Sequence, residues 1–155
     1  MTQEQFVHEV SKEQRALRRF LLALCCGDRD RADDIAQEAL VKAWLSIGRF
    51  DGVNFSGWLK RIAYNAFIDN TRSADRYSPL DDASAEASGD AADDFCRYQD
   101  LYQALDRLSP KERTAILLYY LEGYAVKEIC KIVDCSEDAV KQQLSRGRRQ
   151  LKELL

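Results

Sequence analysis

Apolar residues recur along most of this chain at intervals of three and four, the spacing that lines up one face of an α-helix. Residues 4 to 26 place Phe6, Val10, Leu17, Phe20, Leu21 and Leu24 on one stripe, and Gly27 with the Asp-Arg-Asp run behind it predicts the stop. A second helix is expected from about Arg31 to Ile47 on Ala32, Ile35, Ala36, Ala39, Leu40 and Ala43. After a loop from Gly48 to Asn54, a third runs from 55 to 72 on Phe55, Trp58, Leu59, Ile62 and Ala66. That assignment leaves Lys60, Arg61, Tyr64, Asn65 and Arg72 for the outside. From Ser73 to about Asp94 the periodicity lapses into Ala, Ser and Asp with one Pro and one Gly, which predicts a flexible, self-repelling linker.

The pattern resumes near Phe95. A helix from Tyr98 to Leu108 presents Leu101, Tyr102, Leu105 and Leu108. Ser109, Pro110 and Glu112 then supply an N-cap, a first-position proline and a capping-box acid for a helix through Ile116, Leu117 and Tyr120 that stops near Gly123. Two short helices close the chain. The first is amphipathic on Val126, Ile129, Cys130 and Val133, the turn falls at Asp134 and Cys135, and Ser136 caps the second, whose core stripe is Val140, Leu144, Gly147, Leu151 and Leu154. Gly147 lies on the apolar stripe, where its lack of a side chain suits close helix-to-helix approach at a helix-propensity cost of about 1 kcal/mol. The expected fold is all-α: two small helical bundles, residues 1–73 and 98–155, joined by a flexible acidic linker, 74–97, with a helix-turn-helix in the C-terminal bundle.

Charge changes the picture once it is divided. The formal net charge of −3 discourages a nucleic-acid reading of the whole chain. Yet residues 1–73 carry 11 basic and 10 acidic groups, residues 98–155 carry 10 and 9, and the stretch between carries two against seven. Both bundles are near neutral with their cations gathered on particular faces, so the chain by itself should hold DNA weakly. Five cysteines (Cys25, Cys26, Cys96, Cys130, Cys135) form no CxxC pair, and His8 is the single histidine, so reduced thiols and no metal or cofactor are expected. No apolar run is long enough to span a membrane and the N-terminus lacks signal-peptide blocks, an expectation of a cytoplasmic protein without membrane insertion.

Three polar faces carry chemistry. The last helix gathers Gln142, Ser145 and Arg149, flanked by Lys141, Arg146, Arg148 and Lys152, the amides, hydroxyl and guanidinium groups that read base edges and grip phosphate. Glu137 and Asp138 suit the first turn of that helix but repel phosphate unless they lie over the groove or only cap. The third helix sets Arg61, Tyr64 and Asn65 outward, a mixture suited to unpaired bases. The second helix shows Asp34, Gln37, Glu38, Val41, Lys42 and Leu45, where aliphatics among polar groups mark a surface to be covered by a protein. No Gly-rich phosphate loop or nucleophile–base set points to an enzyme. A helical adaptor leaves the cationic arc unexplained, and a stand-alone helix-turn-helix regulator needs a dimerisation seam or ligand domain that residues 1–73 do not show.

Taken in order, the stretches DDIAQEALVKAW (33–44), FSGWLKRIAYNAFID (55–69) and LSPKERTAILLYYLEGYAVKEICKIVDCSEDAVKQQLSRGRRQLKEL (108–154) resemble the sigma-70 family, specifically the extracytoplasmic-function type of RNA polymerase sigma factor. The resemblance implies a non-catalytic specificity subunit. It implies that Asp34, Gln37, Glu38 and Val41 meet the β′ clamp helices of core RNA polymerase. It further implies that Asn54 and the loop before it, with Arg61, Tyr64 and Asn65, capture the melted −10 element. Lys141, Gln142, Ser145, Arg146 and Arg149 would then read the −35 duplex. Promoter DNA, the β flap and an anti-sigma factor are the further partners it implies.

Overall fold

The computed structural model describes residues 1–76 and 98–155. Residues 77–97, which hold most of the expected linker together with Phe95 and Cys96, lie outside the described residues. Among those described there are seven α-helices, one 3-10 turn and no strand. The first three helices are α1 (Gln3–Leu24), α2 (Arg29–Leu45) and α3 (Phe55–Arg76), with the 3-10 turn Ile47–Arg49 after α2. The second group is α4 (Gln99–Arg107), α5 (Pro110–Tyr120), α6 (Val126–Val133) and α7 (Glu137–Leu154). Helix α3 continues three residues into the stretch expected to be linker.

Local chemistry sets the boundaries. Thr2 caps α1 and Asp28 caps α2, each through its side-chain oxygen. Ser109 accepts from the Glu112 amide at 3.2 Å while Glu112 reaches back to the Ser109 amide, so both orphan donors at the start of α5 are satisfied. Asp134 adopts a left-handed conformation at φ 56° to end α6, and Ser136 Oγ accepts from the Ala139 amide to start α7. Gly123, at φ +77°, lets the chain turn back after α5.

In the first group, Leu17, Phe20, Leu21, Ile35, Leu59 and Phe67 are the large side chains at the centre of the packing. Four alanines of α2 (Ala32, Ala36, Ala39, Ala43) lie between them, allowing α1 and α3 to approach that helix closely. Arg31 ties α2 to α3, donating to Asn70 Oδ1 at 2.6 Å and Thr71 Oγ1 at 2.9 Å above the Phe67 ring. In the second group Leu105, Leu108, Leu118, Ile129, Val140 and Leu144 are buried. Gly147 is in the contact with α5: a Cβ there would lie 2.7 Å from Ile116 Cγ1, so the close approach read from the sequence is required. Leu154, expected in the stripe, lies at the rim and is exposed.

The two groups also pack on each other. α1 and α3 face α5 and α6, and Arg113, buried between them, donates to the Leu24 carbonyl at 2.7 Å as well as to the Leu105 and Leu108 carbonyls. This contact overturns one expectation. Lys60 and Tyr64 do not face solvent; they are 1% and 7% exposed, because α6 and the turn before it cover that side of α3.

Candidate polymerase and nucleic-acid interfaces

The α2 surface is as its spacing predicts. Asp34, Gln37, Glu38 and Val41 stand at i, i+3, i+4 and i+7 of one helix face and all four are exposed. Val41, Trp44 and Leu45 are 58%, 38% and 77% exposed, a run of apolar area on a helix whose opposite side is fully buried alanine. Trp44 is anchored edge-on against Phe6 at 5.3 Å, so part of this surface is held rigid from below. Lys42 pairs with Glu38 at 3.2 Å and with Asp69 at 3.7 Å. Exposed aliphatic and aromatic groups set among amides and carboxylates are the composition of a surface that another protein completes.

The expected −10 residues are divided by the fold. Asn54 sits at φ 53°, and its Oδ1 accepts the Gly57 amide at 3.1 Å, so it caps the start of α3 while remaining exposed beside Asp51, Gly52 and Val53. Asn65 is exposed, and Arg61, also exposed, donates to the Lys131 carbonyl of α6 at 3.3 Å. Tyr64, one turn beyond Lys60 on the same stripe, is beneath α6; burial pushes its phenol pKa up. The structure therefore brings Arg61 and Asn65 together at an open rim and withdraws Tyr64 from it.

Reasoning from sequence missed the residues that do the withdrawing. Lys60 Nζ meets Glu122 Oε2 at 3.3 Å and Arg19 meets Glu122 Oε1 at 3.5 Å. The Tyr124 hydroxyl and Ser56 Oγ are 2.5 Å apart, and the phenol pKa is raised chiefly by burial. A signal for this was present: Lys60, Ala63, Tyr64 and Phe67 themselves stand at i, i+3, i+4 and i+7, a second stripe on α3 with a lysine at its head.

The α7 arc is fully open. Lys141, Gln142, Ser145, Arg146 and Arg149 are all exposed, and none makes a hydrogen bond or ion pair among the described residues. Beneath them Val140, Leu144 and Gly147 fix the helix against α5 and α6. Arg148 is held aside by the Tyr120 hydroxyl at 3.2 Å. Five exposed polar groups thus lie along one side of a helix whose other side is seated in the bundle. Near its C-terminal end α7 also borders an apolar groove of about 660 Å³ between α4 and α5, lined by Leu101, Leu105, Leu117, Leu121 and Leu151.

The thiols fit a structural role. Cys25, Cys26, Cys130 and Cys135 are free, and burial drives the Cys25 and Cys26 pKa values up to about 12 and about 11. No group of metal-binding side chains occurs among the described residues. No described helix is long and apolar enough to cross a membrane.

Comparison with known proteins agrees with this geometry. The family model for sigma-70 region 2 matches residues 10–77, and that for sigma-70 region 4 matches residues 98–151. The chain is 34% identical over 145 residues to the ECF RNA polymerase sigma factor SigW of Bacillus subtilis, covering 83% of this chain and 78% of that protein. It is 30% identical over 140 residues to the ECF RNA polymerase sigma factor SigE of Mycolicibacterium smegmatis, covering 83% of this chain but only about half (53%) of that longer protein. Among solved structures it is similar to the sigma factor RpoE of Bartonella quintana in complex with the anti-sigma factor NepR, with a TM-score of 0.78 at 30% identity over 97% of this chain and 96% of that one. The chain belongs to the sigma-70 family, extracytoplasmic-function type: it is a sigma factor that directs promoter-specific initiation of transcription by RNA polymerase.

Proposed function

We propose that the division of labour runs along the three faces just described. Residues 1–73 form the domain that docks on core polymerase and captures the −10 element, 74–97 the tether, and 98–155 the domain that reads the −35 element. Asp34, Gln37, Glu38 and Val41 on α2 meet the β′ clamp helices. Asn54, Arg61, Tyr64 and Asn65 hold unpaired bases of the −10 strand. Lys141, Gln142, Ser145, Arg146 and Arg149 enter the −35 major groove, and the apolar groove beside α4 and α5 receives the β flap. The protein performs no chemistry of its own and works in the cytoplasm beside the polymerase.

The observation that carries this reading is the α7 arc. Five exposed side chains able to contact bases and phosphate stand on a helix whose other side is fixed by Val140, Leu144 and Gly147. Glu137 and Asp138 are exposed at the N-terminal end of that helix, where they favour its dipole and leave base contacts to the residues beyond them. Neither domain needs high affinity alone, since attachment to one polymerase raises the effective concentration of each at its promoter element. An anti-sigma protein is a further partner of the chain; the sigma factor RpoE of Bartonella quintana, to which it is similar, is found in complex with the anti-sigma factor NepR.

Run-off transcription with core polymerase on a library of promoter fragments tests the proposal. New specific transcripts, lost on Gln37→Ala with Glu38→Ala, are expected. Specific duplex binding by the chain alone, with neither transcript nor co-elution with core enzyme, would instead make it a stand-alone regulator.

A further inference from the structure

Two of the described thiols stand at one turn of the helix-turn-helix. Cys130 lies on α6, and Cys135 follows the left-handed Asp134 that ends it. The Asp134 and Cys135 amides both donate to the Cys130 carbonyl, the second at 3.2 Å. That is a Schellman closure, in which the side chains at its two ends, here the two cysteines, meet on the apolar side. Both are half-buried and both pack on the same core. Disulfides span Cα separations of roughly 4.4–6.8 Å, and residues joined by backbone hydrogen bonds in paired strands stand about 5.5 Å apart, inside that window.

The Cys130 thiol also borders α7. Burial first, then the charges of Glu137 and Cys135, raise its pKa, and Lys141 lowers it. Cys130 therefore lies beside both the second thiol and Lys141, the first residue of the α7 arc. Cys135 Sγ is turned to the Val133 carbonyl at 3.6 Å, a weak contact that it can leave. A small disulfide that couples to Cys130 would set its own bulk and charge next to Lys141. Cys25 and Cys26, at the end of α1, do not share this setting.

We propose that Cys130 and Cys135 form a dithiol site for low-molecular-weight disulfides of the glutathione type, in which Cys135 resolves an adduct on Cys130 into a bridge across the α6–α7 turn and so keeps the α7 arc clear. The Cys130 thiolate attacks one sulfur of the small disulfide, forming a mixed disulfide and releasing one small thiolate. The Cys135 thiolate then attacks the Cys130 sulfur of that mixed disulfide, and the second small thiolate leaves. Two protein thiols become one disulfide while one small disulfide becomes two thiols, so electrons and protons balance with no other reactant. The bridge spans a turn whose backbone is already closed, and α7 keeps its seat on Val140, Leu144 and Gly147. The consequence for DNA rests on the assignment of α7 to the −35 element; the bridge itself does not.

Peptide mass mapping of the full chain after incubation with glutathione disulfide tests the bridge. Trypsin cuts after Lys131, so the two cysteines fall on separate peptides, 128–131 and 132–141. The wild type is expected to yield these two joined, short of two hydrogen atoms, and to release them on treatment with dithiothreitol. Cys135→Ser should instead retain glutathione on Cys130, with its helical circular dichroism unchanged. No joined peptides, or bridging mainly to Cys25, Cys26 or Cys96, overturns the proposal.

Transcription then reads the consequence. Each chain is treated with glutathione disulfide, freed of it, and combined with core polymerase on a promoter selected from the fragment library. The bridged wild type should transcribe as well as the reduced chain. The Cys135→Ser adduct should lose about ten-fold, the cost of one impaired groove contact, and recover on reduction. Loss of activity in the bridged wild type, or full activity in the adduct, overturns the protective role. Transcription by the reduced chain that ignores the −35 sequence would instead remove α7 from that element and leave the peptide result as it stands.

Discussion

Two polar stripes of this protein look alike in sequence and end in opposite places. Lys60, Arg61, Tyr64 and Asn65 on α3, and Lys141, Gln142, Ser145 and Arg149 on α7, are both runs of cations, amides and hydroxyls opposite an apolar face. On α7 every one of these groups is exposed and without an intramolecular partner among the described residues. On α3 the Lys60 and Tyr64 stripe is covered by α6 and the Glu122–Tyr124 turn, and only Arg61 and Asn65 remain at the rim. The difference lies in what each helix packs against. α7 spends its apolar side on its own domain, whereas α3 has two such stripes and closes the second against the other domain. The polar side chains of α7 are therefore open to solvent, while on α3 Lys60 and Tyr64 are covered and Arg61 is already hydrogen-bonded.

The largest effect that would break this comparison is expected from Lys60→Ala. Removing one member of a buried pair leaves Glu122 without its nearest cation, a cost on the order of 3–5 kcal/mol while the carboxylate stays buried. The chain can escape that cost by opening, so the loss is capped at the free energy of closing. Hydrogen exchange should then show faster amides in α6 and at the start of α3, with the centre of α1 and α2 unchanged. Equal protection in the variant and wild type would mean that the pair contributes nothing to closure.

Arg146→Ala and Arg149→Ala should behave in the opposite way. Each is exposed and unpaired within the chain, so stability should move by less than about 0.5 kcal/mol. Promoter duplex binding by the polymerase complex should weaken by about 1–3 kcal/mol where the residue reads a base. A phosphate contact would instead weaken all sequences alike and flatten the salt dependence. Footprinting on matched and mismatched −35 sequences separates the two.

How much of this was readable beforehand follows the same division. The caps at Ser109, Glu112 and Ser136, the left-handed turn at Asp134 and the exposed α2 face all depend on residues within a few positions of one another, and periodicity and capping chemistry specify them. Lys60 meeting Glu122 joins residues 62 apart in sequence, and Arg113 reaching Leu24 joins residues 89 apart. No local rule couples such positions. The Lys60, Ala63, Tyr64, Phe67 spacing carried a hint, but a lysine at the head of an otherwise apolar stripe reads as solvent-facing until its partner is known. The same limit applies to Arg113, which stands in an α5 whose residues 113–118 are all buried.

A smaller effect tests the firmness of the seat beneath α7. Gly147→Ala places a Cβ 2.7 Å from Ile116 Cγ1 and 3.0 Å from Cδ1. Overpacking costs typically 1–3 kcal/mol, and the gain of about 1 kcal/mol in helix propensity offsets part of it. A net loss of about 1–2 kcal/mol is expected in thermal unfolding, relieved when Ile116→Ala is added, since neighbouring substitutions couple. Additive losses would place the strain elsewhere.

The smallest effect comes from Cys25, which lies under the junction of the domains next to Leu24, the residue whose carbonyl Arg113 holds. Burial raises its thiol pKa from 9.0 to about 12, so the folded chain keeps the proton over a range in which the unfolded chain has lost it. Its contribution to stability is therefore complete below about pH 9 and declines as pH rises toward 12, at up to about 1.4 kcal/mol per pH unit. Urea unfolding at pH 8 and pH 10 should show a decline in the wild type that is about 1 kcal/mol smaller in Cys25→Ala. The comparison with Glu122→Lys, which sets an ammonium group against that of Lys60, then sharpens the reading. If opening the domains lets solvent reach Cys25, the pH dependence attributable to this thiol should shrink in that variant, and iodoacetamide should label it faster at pH 8. If the thiol is equally protected there, its shelter comes from α1 and α2 alone, and the second domain contributes cover to α3 but not to the end of α1.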